Sequence, residues 1–143
     1  MKKLSILFIV MGLTLLTTSC NNDDDNNNGS DTSVPLVGKW NFSKVGSTVA
    51  GQEVLIDPPQ NETDCPKDYI EFNADNTATS GNYDSTNNPC ELITQSGTYS
   101  KTGNQLTTVI DGTNRTQEIL NLTATELKVR DADTDGIIVF IRM

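Results

Sequence analysis

From Val34 to the C terminus, apolar and polar side chains alternate with a period of two, turn-forming residues recur at short intervals, and no window carries a helical period. Successive strand residues point to opposite faces, so this pattern commits the chain to strands with one buried face. Residues 36–45 place Leu36, Gly38, Trp40 and Phe42 on one side and Lys39, Asn41 and Ser43 on the other. Residues 68–74 set Ile70 and Phe72 against Glu71 and Asn73, and Asp75-Asn76, which tolerate left-handed backbone, turn the chain into 77–83.

Further strands are read at 93–101, 105–110, 116–122, 126–130 and 136–142, with turns at Gly103-Asn104 and Asp111-Gly112. The segment 53–56 is halted by Pro58-Pro59 and reads as an edge strand or a loop. The last strand, with Ile137-Ile138-Val139-Phe140-Ile141, is apolar on both faces, as a strand is when it pairs on both sides or meets a covering element. Eight short strands in sequence order predict an all-β fold, an eight-stranded antiparallel up-and-down barrel whose closure removes exposed edges. Its expected interior is Trp40, Phe42, Ile70, Phe72, Tyr83 and Tyr99, then Leu106, Ile110, Leu120, Leu127, Val129, Val139 and Ile141.

Composition removes several chemistries. The chain has no His, so Ser-His-Asp and Cys-His nucleophile systems and His-ligated metals are excluded. A formal charge of −9 leaves no basic surface for counterion-release binding, so nucleic acid is not an expected partner.

The N terminus bears on location. Lys2 and Lys3 precede an apolar run from Leu4 to Leu16 and then Thr17-Thr18-Ser19-Cys20, the layout of an export signal too short to span a bilayer comfortably. Its end resembles a lipobox, at which signal peptidase II cuts before a Cys that becomes the lipidated N terminus. Ser19 and Thr18 fit, and Thr17 departs from the usual Leu. The alternative is an ordinary secretory signal cleaved near Ser19, which leaves Cys20 as a spare and reactive thiol. With lipidation at Cys20, residues 1–19 are a lipoprotein signal peptide, 20–33 a lipidated Cys and tether, and 34–143 the folded domain.

Residues 21–33 contain no apolar side chain and cannot offset ordering entropy by burial, which predicts a disordered tether. Asp23, Asp24 and Asp25 resemble the acidic signal that carries some Gram-negative lipoproteins to the cell surface; a solvated spacer is the plain alternative. The expected location is the outer membrane, lipid-anchored and exposed at the surface. Cys65 and Cys90 are then the natural disulfide pair, closing a loop of about 25 residues and contributing about 3 to 3.5 kcal/mol through the unfolded state.

Three stretches carry a resemblance to a family. Leu36-Val37-Gly38-Lys39-Trp40, Asp64-Cys65-Pro66-Lys67-Asp68 leading into Tyr69-Ile70-Glu71-Phe72, and Gly97-Thr98-Tyr99 resemble the lipocalin-like domain of small bacterial lipoproteins over roughly residues 34–143. The resemblance implies a barrel related to the calycins, usually with no assigned activity. Gly38-x-Trp40 resembles the first-strand signature of lipocalins, in which the Trp closes one barrel end and an Arg near the final strand packs on it. Arg130 and Arg142 are the candidates.

Among constellations, Asp131-x-Asp133-x-Asp135-Gly136 matches the first half of an EF-hand loop, but Arg142 stands where a bidentate Glu is required, so an acidic turn with positive φ at Gly136 is the preferred reading. Glu118 reads as an outward, solvated side chain, with an inward carboxylate as the rarer case. Asp84-Ser85-Thr86 resembles a short O-glycosylation acceptor, a pattern that also arises by chance. No nucleophile-base pair, metal cluster or cofactor motif stands out, so no catalytic residue, metal or cofactor is expected. Two readings follow: an anchored, monomeric barrel that binds a small apolar molecule at its open end, with Trp40, Phe42, Phe72 and Tyr99 as candidate contacts, or a solid barrel that engages another envelope component.

Overall fold

The computed structural model describes residues 35–143 apart from Gln60, Glu62, Thr63, Asn87 and Asn88; Cys20, the acidic run and the signal segment lie outside the described residues. Nine strands follow in sequence: β1 (Gly38–Val49), β2 (Gln52–Ile56), β3 (Tyr69–Phe72), β4 (Thr77–Asp84), β5 (Glu91–Thr102), β6 (Gln105–Ile110), β7 (Thr113–Leu122), β8 (Glu126–Asp131) and β9 (Ile137–Arg142). β1 and β3 to β9 form an antiparallel meander, and β9 pairs back onto β1 from Trp40↔Arg142 to Gly46↔Ile137, so eight strands close a barrel.

The turns obey the expected local chemistry. Asn76 has φ 65°, Gly103 58°, and Asp111 and Gly112 50° and 74°. Two successive left-handed residues match the twist of a tight hairpin. At the β8–β9 turn the positive φ falls on Asp135, at 56°, rather than on Gly136.

β2 is a strand, but not a barrel stave. It pairs with the far end of β1, from Val45↔Ile56 to Val49↔Gln52, on the edge that β3 occupies nearer the start of β1. The Glu53 carboxylate meets Lys128 of β8 at 2.6 Å, which ties the hairpin to the outer face of β8. A Cβ at Gly46, where β1 serves both partners, would collide with the Val54 carbonyl, so glycine is needed for this approach.

Register corrects part of the expected interior. Paired residues point the same way, so Phe140, opposite Phe42 and Leu127, and Ile138, opposite Val129, face inward. Val139 and Ile141 face outward: Ile141 is exposed, whereas Val139 and Ile137 are buried. Alternation cannot orient a strand that is apolar on both faces. Tyr83 also faces out, since Ala78, Ser80 and Asn82 take the inner places of β4. A bulge between Ile119 and Asn121 gives the inner place to Ile119 rather than Leu120.

The core fills one end of the barrel. Leu36, Trp40, Phe72, Ala78, Leu106 and Leu127 are buried there, and Tyr99 stands edge-on to Phe72 at 4.8 Å. Trp40 donates its indole N–H to the Leu36 carbonyl at 2.8 Å. Arg142 caps this end: its guanidinium carbon lies 4.0 Å from the centre of the Trp40 ring, and its nitrogens donate to the carbonyls of Pro35, Val37 and Ala124 at 2.6 to 2.8 Å. Gly38 leaves the space this Arg occupies. Every stave, the closing ladder, the disulfide and Leu36 fall within 35–143, so this segment carries its own core.

Candidate functional site: the open end of the barrel

The other end is not filled. A cavity of about 380 Å³ opens among the ends of the staves, within the size range of small-molecule sites. It lies at the end carrying the β1–β2 turn, the long connections 57–68 and 85–90, and the β6–β7 and β8–β9 turns.

Two walls differ in chemistry. Phe42 of β1, Ile70 of β3 and Ile138 and Phe140 of β9 form one, with the Phe42 and Phe140 rings 5.6 Å apart and tilted by 33°. The staves β5, β6 and β7 contribute Gln95, Thr108, Thr113, Arg115 and Gln117, with Ser80 and Asn82 of β4 beside them and Ile110 at the rim. In the closed ring β6 stands four places from β1, so the polar wall faces the apolar one.

The rim is pinned by polar contacts. Asn61 donates to the Phe42 carbonyl at 2.7 Å and accepts from the Asp68 N–H, while Asp68, buried at the cavity edge, accepts from the Tyr83 N–H at 2.8 Å. Cys65 and Cys90 form a disulfide with Cα atoms 5.8 Å apart, joining the two long open-end connections. On the other side Gln95 donates to the Asp111 carboxylate at 2.9 Å.

Of the four residues read as ligand contacts, Phe42 lines the cavity. Trp40 and Phe72 are sealed in the closed-end core, and Tyr99 donates its phenol to the Asn73 carbonyl at 2.9 Å; burial, with a smaller contribution from Asp75, pushes that phenol's pKa up. The polar wall carried no signal in sequence, because Thr108, Gln117 and Arg115 sit in strands rich in Thr, Asn and Gln on both faces.

The acidic loop is a turn. Asp131 accepts from the Asp133 and Thr134 N–H groups and from the Thr134 hydroxyl at 2.9 to 3.2 Å, bonds that hold its carboxyl below the ordinary range, the hydroxyl foremost. Among the described residues no group of three or more His, Cys, Asp or Glu side chains is placed to hold a metal. Glu118 faces out beside Arg130 at 3.7 Å. Asp84 accepts from the N–H and hydroxyl of Thr86, which makes 84–86 a self-capped turn.

A family model described as a lipocalin-like domain matches residues 36–129. The chain belongs to the lipocalin-like domain family. The match stops before β9, so the closing stave and Arg142 of this lipocalin-like chain are read from the structure alone. No curated protein matches it significantly in sequence. Two solved structures are similar in fold: an uncharacterized protein from Bacteroides eggerthii, 12% identical with a TM-score of 0.55, and a lipocalin-like protein from Bacteroides uniformis, 14% identical with a TM-score of 0.55. Each alignment covers 76% of this chain, and 100% and 98% of the respective relative.

Proposed function

We propose that this lipocalin-like barrel is a non-enzymatic binding module that holds one small molecule at its open end, and that a lipid on Cys20 anchors it to the cell envelope through an acidic tether. The observation that carries the binding reading is the cavity of about 380 Å³ above the packed core, framed by Phe42, Ile138 and Phe140. A solid barrel would have continued its packing to this end. The anchoring half rests on Lys2-Lys3, the apolar run and Thr18-Ser19-Cys20. Several acyl chains give stable attachment where one gives only marginal binding.

Native mass spectrometry of residues 21–143, incubated with an envelope extract, tests the binding half. The expected result is an added mass that denaturation releases; a bare mass under all conditions moves the assignment to a protein-interaction module. Fractionation tests the anchor: the wild-type chain is expected in membranes and the Cys20→Ala variant in the soluble fraction, and an unmodified Cys20 in mature protein defeats it.

A further inference from the structure

Two residues of the polar wall are not explained by the fold. Thr108 and Gln117 are 5% and 8% exposed, and neither side chain makes a hydrogen bond to any described residue. Among the described residues no side-chain nitrogen or oxygen is both sealed and unpaired, so their polar atoms open into the cavity they line. An apolar occupant would strip this amide and hydroxyl of the water that the open cavity gives them, which is unfavourable, whereas hydrogen-bonding groups replace it. Arg115, cross-strand neighbour of Thr108, makes no hydrogen bond or ion pair with a described residue, and its charge adds only a minor part to the lowering of the Asp131 carboxyl.

Charge narrows the occupant. Asp68 and Asp111 line the same cavity, so an anion placed on Arg115 meets two carboxylates in a chain of formal charge −9. A cation meets Arg115 beside the unpartnered amide. A neutral molecule with several hydroxyl groups avoids both penalties, since amide, hydroxyl and guanidinium groups together supply donors and acceptors. The opposite wall requires an apolar face, to lie on Phe42, Phe140 and Ile138.

Resting on the binding reading above, we propose that the cavity recognises a neutral saccharide. Its hydroxyl groups bond Gln117, Thr108 and Arg115, and the C–H face of a ring stacks on Phe42 and Phe140. Gln117 and Thr108 then set specificity, because loss of a ligand hydroxyl leaves them buried and unpaired.

Residues 21–143 are titrated by saturation-transfer NMR and calorimetry with neutral hexoses, N-acetylhexosamines and their disaccharides, and separately with N-phenyl-1-naphthylamine as a neutral apolar probe. At least one saccharide is expected to bind. Gln117→Leu and Thr108→Val are each expected to weaken it about tenfold while leaving apolar-probe affinity equal or higher. Thr107→Val, on the outer face of the same strand, is expected to leave saccharide affinity unchanged. If the apolar probe binds and no saccharide does, the saccharide assignment is overturned and the binding module stands. Undiminished saccharide binding in both variants overturns the assigned wall, and a cavity that takes neither class overturns both readings.

Discussion

Arg142 does at the closed end what no other described residue is placed to do. It stacks on Trp40 and satisfies three carbonyls from the entry segment and the β7–β8 turn. Arg142→Ala is expected to cost about 1 to 3 kcal/mol in denaturant unfolding, and Arg142→Lys to recover little, because an ammonium has neither the flat face nor the fork. The Gly38-x-Trp40 pair was legible in the sequence, but choosing Arg142 over Arg130 required the register, which sets Arg130 outside beside Glu118. The turn carboxylates make a second expectation. Hydrogen bonds lower the Asp75, Asp84 and Asp131 carboxyls in the folded chain, in each case chiefly through a Thr hydroxyl. The unfolded chain therefore takes up these protons first, so the stabilisation is complete above the ordinary carboxylate range and is lost as pH falls through the folded values. Melting temperature is expected to drop between about pH 5 and pH 2, and Asp131→Ala to shrink that drop.

Among the elements, β2 is the one that alternation left undecided. Pro58-Pro59 marks its end, but nothing local says that Glu53 reaches Lys128 of β8. In the doubly apolar β9, Ile138 and Phe140 face the interior, and Ile137 and Val139 face outward yet are buried. Gly46→Ala drives a methyl into the Val54 carbonyl and is expected to destabilise the fold by about 1 to 3 kcal/mol, while Gly136→Ala, whose methyl meets only the Thr134 hydroxyl at 3.1 Å, moves stability less. Equal effects in thermal unfolding would remove the close approach as the reason for glycine at 46. The Lys128–Glu53 pair is half-exposed, so a double-mutant cycle is expected to return about 0.2 to 1 kcal/mol.

For the whole molecule, the disulfide and the cavity belong together, since Cys65 and Cys90 tie the two long connections at the mouth. Cys65→Ser/Cys90→Ser is expected to lose about 3 to 3.5 kcal/mol yet keep its strand circular-dichroism spectrum, because the Trp40 core lies at the other end. A double variant that is unfolded would show that the core cannot stand without the staple. The sequence by itself determined the all-β class, the eight staves and their meander order, because period-two alternation and turn residues act over a few neighbours and leave local marks. It pointed to the cysteine pair only with Cys20 set aside for a lipid, and the structure joins Cys65 to Cys90. Only the tertiary structure decided which face of β9 points inward, which Arg meets Trp40, and that Thr108 and Gln117 share a cavity with Phe42 and Phe140. Those outcomes depend on register between strands far apart in the chain and on the volume left after packing, and neither quantity is written in any single segment.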